Sequence, residues 1–113
     1  MTTLPKQIET AIVKACLEYL NKVAGCIAWR NNTGRLKDRT GRLVTFGLGK
    51  GSSDIIGALP GGRILAVECK IGKNKMTLDQ EVYQWSVTDI GGFAVCVWSL
   101  VELVREIRDA KQR

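Results

Sequence analysis

The sequence predicts an α/β domain in which helices flank a mixed β-sheet. An unbroken i, i+3, i+4, i+7 apolar series from about residue 5 to residue 23 marks an amphipathic helix. Two β-rich apolar runs on either side of Pro60-Gly61-Gly62 mark a hairpin. Two capping-box sequences, Thr77-Leu78-Asp79-Gln80 and Ser99-Leu100-Val101-Glu102, open helices before and after one further apolar run. A chain of 113 residues is the size of one domain, long enough for a single core.

Thr2, Thr3 and Pro5 mark the start of the first helix. Its apolar face is Ile8, Ala11, Ile12, Ala15, Cys16, Tyr19, Leu20 and Val23. Glu9 falls inside that sector, beside Cys16 and close to Ile12, where a carboxylate needs a partner. It is either a boundary residue that turns out to water or a group held inward for a purpose. Cys26 to Arg30 reads as a short strand, Asn31 to Gly41 as a polar segment, and Leu43 to Phe46 as a second strand. Gly47-Leu48-Gly49-Lys50-Gly51-Ser52 is not a phosphate-binding P-loop, because Gly51 follows Lys50 where Ser or Thr is required. It reads as a flexible approach loop.

The hairpin holds the informative charges. On its second run Ile64, Ala66, Glu68 and Lys70 share one face, and Leu65, Val67, Cys69 and Ile71 share the other. Both faces begin apolar, so this is an interior strand whose charged end emerges into a cleft. With Leu59 opposite Arg63, Asp54 falls directly across from Glu68. Opposed Cβ atoms lie about 4.5–5.5 Å apart, and two like charges there are destabilising. A shared hard cation reverses that sign, and a one-residue slip of register would separate the two acids.

The next helix runs from Thr77 to about Ile90 and ends at Gly91-Gly92. Phe93 to Trp98 is expected as a fully buried strand. The last helix runs to about Ala110, with Leu100, Leu103, Val104 and Ile107 inward. The order is helix, three strands, helix, strand, helix.

A net charge of +6 and a pI near 9.4 suit a polyanionic partner, a solvated basic surface being the alternative. Arg30, Arg35, Lys37, Arg39, Arg42 and Lys50 face only Asp38 as a countercharge, and Lys73 and Lys75 follow Lys70. Such loops on both sides of an acidic cleft form a phosphate-backbone track, unless they are simply polar loops. Cys16, Cys26, Cys69 and Cys96 have no C-x-x-C spacing and there is no histidine, which argues against zinc. Reduced packing cysteines in a cytoplasmic protein are expected. The chain has neither an apolar run near the roughly 20 residues of a membrane span nor the apolar core of a signal peptide, so no membrane partner is expected.

Asp54, then Glu68-x-Lys70 across a hairpin, with an acid on a preceding helix, is a phosphodiesterase arrangement in chemical terms. The acids would hold one or two Mg²⁺ or Mn²⁺ ions, and Lys70 would orient the attacking water and offset charge on the phosphate.

Here the sequence resembles a family. Arg30-Asn31-Asn32-Thr33-Gly34, Phe46-Gly47 and Lys50-Gly51-Ser52-Ser53-Asp54 lead into Val67-Glu68-Cys69-Lys70, then Gln80 and Gly91-Gly92. Together they are similar to the virus-type replication-repair nuclease (VRR-NUC) domain, a branch of the PD-(D/E)xK superfamily, over nearly the whole chain. Ser53 stands where the superfamily name has proline, at a position that is not a ligand.

The resemblance implies a restriction-endonuclease-like core. It also implies a divalent metal at Asp54, Glu68 and the Cys69 main-chain carbonyl, with Lys70 catalytic and Glu9 completing the site. Gln80 matches a glutamine of the family, and its role as a capping residue stands equally well. Stand-alone members are similar to homodimeric Holliday-junction resolvases, so four-way DNA junctions, a homodimer and a nucleic-acid-associated place in a bacterial or phage-infected cytoplasm are implied. Flap- or duplex-cutting nucleases of the same fold, acting on DNA or RNA, and a non-catalytic DNA-binding module are the alternatives.

Overall fold

The computed structural model describes residues 4–111, so Thr2 and Thr3 lie outside the described residues. Helix α1 spans Pro5–Lys22. Pro5 stands in the first turn, where its missing N–H is no loss, and the Leu4 N–H donates to Gln7 Oε1 at 3.3 Å. The buried line of α1 is Val13, Cys16 and Leu20, with Glu9 half-buried one turn before Val13. This corrects the expected face: Ile8, Ala11 and Val23 are exposed. Val13 and Leu17 widen the apolar arc, so periodicity alone does not choose its centre. The sheet chooses it, and the rotation puts Glu9 on the inward line.

Five strands follow: β1 (Ile27–Arg30), β2 (Gly34–Lys37), β3 (Leu43–Phe46), β4 (Ile55–Ala58) and β5 (Ile64–Cys69). Then come α2 (Leu78–Asp89), β6 (Phe93–Val97) and α3 (Leu100–Lys111). Strand β2 lies in the segment read as polar, and with the hairpin's two strands it makes five where three were expected. It pairs with β3 as a separate two-stranded ribbon, Gly34 opposite Phe46 through Lys37 opposite Leu43.

The other four strands form one mixed sheet in the order β1-β4-β5-β6. β1, β4 and β5 pair antiparallel, and β5 pairs parallel with β6 across the α2 crossover. The β4–β5 hairpin has the expected register, Ile55 opposite Val67 through Ala58 opposite Ile64, closed by the Leu59 N–H donating to the Arg63 carbonyl at 2.8 Å.

Alternation along β4 and β5 then sorts the core. Ile55, Leu65, Val67 and Cys69 pack on α1 and α3 through Val13, Cys16, Leu20, Leu103 and Ile107. Ile56 and Ala66 pack on α2 through Val87 and Tyr83. Burying one such aliphatic side chain is worth roughly 1.5–3 kcal/mol, so these two layers set the fold. Strand β6 departs from expectation: Phe93 and Val97 are buried, but Ala94, Val95 and Cys96 are only half-buried because β6 is an edge.

All four cysteines are free, and Cys16, Cys26 and Cys69 are buried. The buried Cys16 and Cys69 thiols act on each other across the α1–β5 seam, which pulls Cys16 down and pushes Cys69 up. At α2 the whole predicted capping box forms, with Gln80 N–H donating to Thr77 Oγ1 at 3.2 Å and Thr77 N–H to Gln80 Oε1 at 2.9 Å. At α3 only half of it forms. Ser99 Oγ accepts from Glu102 N–H, while Glu102 Oε2 accepts from Trp98 N–H instead of Ser99. No helix among the described residues is long and apolar enough to cross a membrane.

Candidate active site

The end of the sheet where β1, β5 and β6 finish and β4 begins gathers the charged residues. Asp54 precedes β4 by one residue and extends the register to lie opposite Glu68. The end of β1 fixes it there. Asn31 N–H donates to the Asp54 carbonyl at 2.8 Å, and Asn31 Nδ2 donates to Ser52 Oγ at 2.8 Å and the Ser53 carbonyl at 3.0 Å. The Asp54 carboxylate is aimed by the Cys69 N–H, which donates to Oδ2 at 2.8 Å.

Glu68 sits on the α2 face of β5, in phase with Ala66, and is 3% exposed. Its Oε1 accepts from Gln80 Nε2 at 3.2 Å and lies 3.9 Å from Lys70 Nζ. Its Oε2 is buried without a hydrogen-bond partner. Burial first, then the neighbouring Asp54 carboxylate, push Glu68 up to about 8. The Lys70 charge opposes that shift and the Glu9 charge adds to it. Without a cation the pair therefore carries a proton near neutrality.

Asp54, Glu68, Lys70 and Gln80 thus come together as expected. Glu9 comes from α1, which packs on the opposite face of the sheet, and its charge acts on Glu68. Among the described residues no three acidic or thiol side chains are gathered closely enough to hold a metal.

A divalent cation fits what is there. The opposed carboxyls are hard oxygen donors, and the buried Oε2 has no hydrogen-bond partner. The Cys69 thiol points into the α1 core, so only the main-chain carbonyl of Cys69 is available at this end.

Exposed basic residues stand on both sides. Arg30 ends β1, and Arg35, Lys37, Arg39 and Arg42 belong to the β2–β3 ribbon. Lys50 Nζ lies 3.2 Å from Asp79 Oδ2 at the start of α2, an exposed pair worth about 0–1 kcal/mol and readily exchanged. Lys73 and Lys75, on the loop after β5, border a hollow of about 360 Å³ with Trp98, whose Nε1 donates to the Asn74 carbonyl at 3.0 Å.

Two residues at this end were not anticipated. Trp29 pairs with Ile56, so it shares the sheet face of Asp54 and Glu68, and it is 54% exposed. Its signal was an aromatic at strand spacing two residues before Asn31. Ser53 is fully buried and its hydroxyl has no partner, which nothing in its sequence context marks. Compared with models of protein families and with curated proteins, the chain matches none.

Proposed function

We propose that the chain is a divalent-metal-dependent nuclease that hydrolyses DNA phosphodiester bonds, with the restriction-endonuclease-like core of the VRR-NUC domains it resembles. The observation that carries this is the opposed Asp54–Glu68 pair, Glu68 buried with an unpartnered oxygen and Lys70 beside it, set between two basic loops. Asp54, Glu68 and the Cys69 carbonyl would hold the cation, Mg²⁺ or Mn²⁺, with Glu9 of α1 completing the site. When bound, the cation supplies polarisation of the phosphate and a lowered pKa for an attacking water.

The protein's own groups do the rest. Glu68 gives up its proton to admit a cation, and the Gln80 amide holds Glu68 Oε1 in place. The Cys69 N–H holds Asp54. Lys70, in phase with Glu68, orients the attacking water and stabilises charge that builds on the phosphoryl oxygens. Arg30, Lys50, Lys73 and Lys75 place the phosphate backbone across the end of the sheet. A binding module gains nothing from buried acids facing phosphate, so catalysis accounts for them better. As in the stand-alone members it resembles, a homodimer cutting four-way junctions in the cytoplasm is the substrate and assembly proposed.

The test offers labelled four-way junctions, flaps, duplexes, single strands and the RNA duplex, with Mg²⁺, Mn²⁺ or EDTA. Cleavage is expected only with the metal, and highest on the junction. Asp54→Ala and Lys70→Ala should each lower the rate at least about 100-fold. Intact substrates at micromolar protein, or variants that cut as well as wild type, would refute the reading. Light scattering at the assay concentration checks the dimer.

A further inference from the structure

The β2–β3 ribbon is the one element the core does not use. Among the described residues its two strands pack chiefly on each other, and they join no strand of the main sheet. The Cα radius of gyration is 14.9 Å, where a compact chain of this length has about 13 Å, so part of the molecule stands out.

The ribbon has two different faces. Arg35 and Lys37 lie on one with Thr45 and Leu43, and Leu36 lies on the other with Val44. Arg39 and Arg42 occupy the tip. The only acid is Asp38, whose Oδ1 is taken up by Thr40 N–H, Thr40 Oγ1 and Arg42 N–H at 2.7–3.0 Å. It shapes the turn, leaving four outward cations.

The root of the ribbon is fixed to the acid pair. Gly34 follows the Asn31 that holds Asp54, and β3 returns through Gly47 to Ser52 and Ser53. Gly47 takes φ 90° and is packed so close to Asn32 and Thr33 that a Cβ would collide with both. The ribbon is therefore an arm with a firm base, three residues from the Asn31 that positions Asp54.

We propose that this arm lies in the major groove of a B-form DNA duplex beside the cleavage point. Arg35 and Lys37 face the groove, and Arg39 and Arg42 meet the phosphates at its rims. The inference rests on the nuclease reading and adds to it a requirement for a double-stranded DNA arm. The dimensions agree: each strand runs roughly 13 Å, and the groove of about 12 Å width admits a two-stranded ribbon. The major groove of A-form RNA is too narrow for one, so the arm selects DNA. Charge complementarity favours this occupant over a second copy of the chain, which carries the same +6.

The test is anisotropy of a labelled DNA duplex titrated with protein in EDTA, over a range of salt. Arg35→Ala with Lys37→Ala should weaken binding at least about tenfold, and Arg39→Ala with Arg42→Ala should reduce the slope of log K against log salt by about 2. Double-stranded RNA of the same sequence should compete at least about tenfold less well, and guanine N7 methylation of the DNA should weaken binding. These exposed substitutions leave the fold intact, checked by circular dichroism.

Leu36→Ser with Val44→Ser should leave binding unchanged. Equal binding by the arginine–lysine variant, equal competition by RNA, or conversion of a dimer to a monomer by the leucine–valine variant would overturn the proposal. Arm-dependent binding without cleavage would remove the nuclease reading and keep the arm. Cleavage and binding unaffected by the arm variant would do the reverse.

Discussion

At the residue scale the site turns on Glu68. Its carboxyl moves from 4.5 to about 8 on folding, chiefly because it is buried and then because Asp54 opposes it. A folded pKa above the unfolded one means the protonated form is the stable one. The contribution is full below about pH 4.5 and is lost as pH rises through about 8, a matter of a few kcal/mol. Metal-free protein should therefore melt at progressively lower temperature from pH 5 to pH 9. Glu68→Gln should flatten that fall and raise the melting temperature at pH 9; a wild-type curve that rises with pH contradicts this.

Ser53 offers a contrary case. Its buried hydroxyl lacks a partner, so Ser53→Ala should stabilise the protein by about 1 kcal/mol in urea melts and leave cleavage unchanged. The Asp54–Glu68 pairing was legible in the sequence because strand period and hairpin length together fix register. The unpartnered Ser53 hydroxyl was not, since it depends on which chain closes over it. Glu9 was legible as anomalous, but its distance from the pair depends on which face α1 covers.

At the element scale, the start of α2 joins fold and site. Gly51 takes φ 84° and lies so close to the Asp79 backbone that a Cβ would collide with it. Gly51→Ala should therefore cost at least about 2 kcal/mol, through both strain and the clash. Gln80 serves two ends at once, its Oε1 closing the capping box and its Nε2 holding Glu68.

Gln80→Glu separates them. The capping acceptor survives, so thermal stability should stay within about 1 kcal/mol. Donation to Glu68 is lost and a like charge gained, so cleavage should fall at least about tenfold. Equal activity would confine Gln80 to its structural role. The helix starts were readable because caps are local chemistry. Strand β2 was not, because its Arg-Leu-Lys run has no buried face and is a strand only through pairing with β3.

At the scale of the whole molecule, the sheet order places one acidic pair and two basic loops at a single end. The helix-and-strand order of the sequence predicted a mixed sheet with helices on both faces, and that architecture formed. The free-standing ribbon was hidden, because its role lies outside the core that periodicity reports. The proposed function makes the acid pair a cation site, and titration calorimetry of Mn²⁺ at pH 8.5 tests it directly. Wild-type protein should give a saturable heat that Asp54→Asn and Glu68→Gln each abolish, while Lys70→Ala retains it. No heat from the wild type, or the same affinity in the two acid variants, would contradict it.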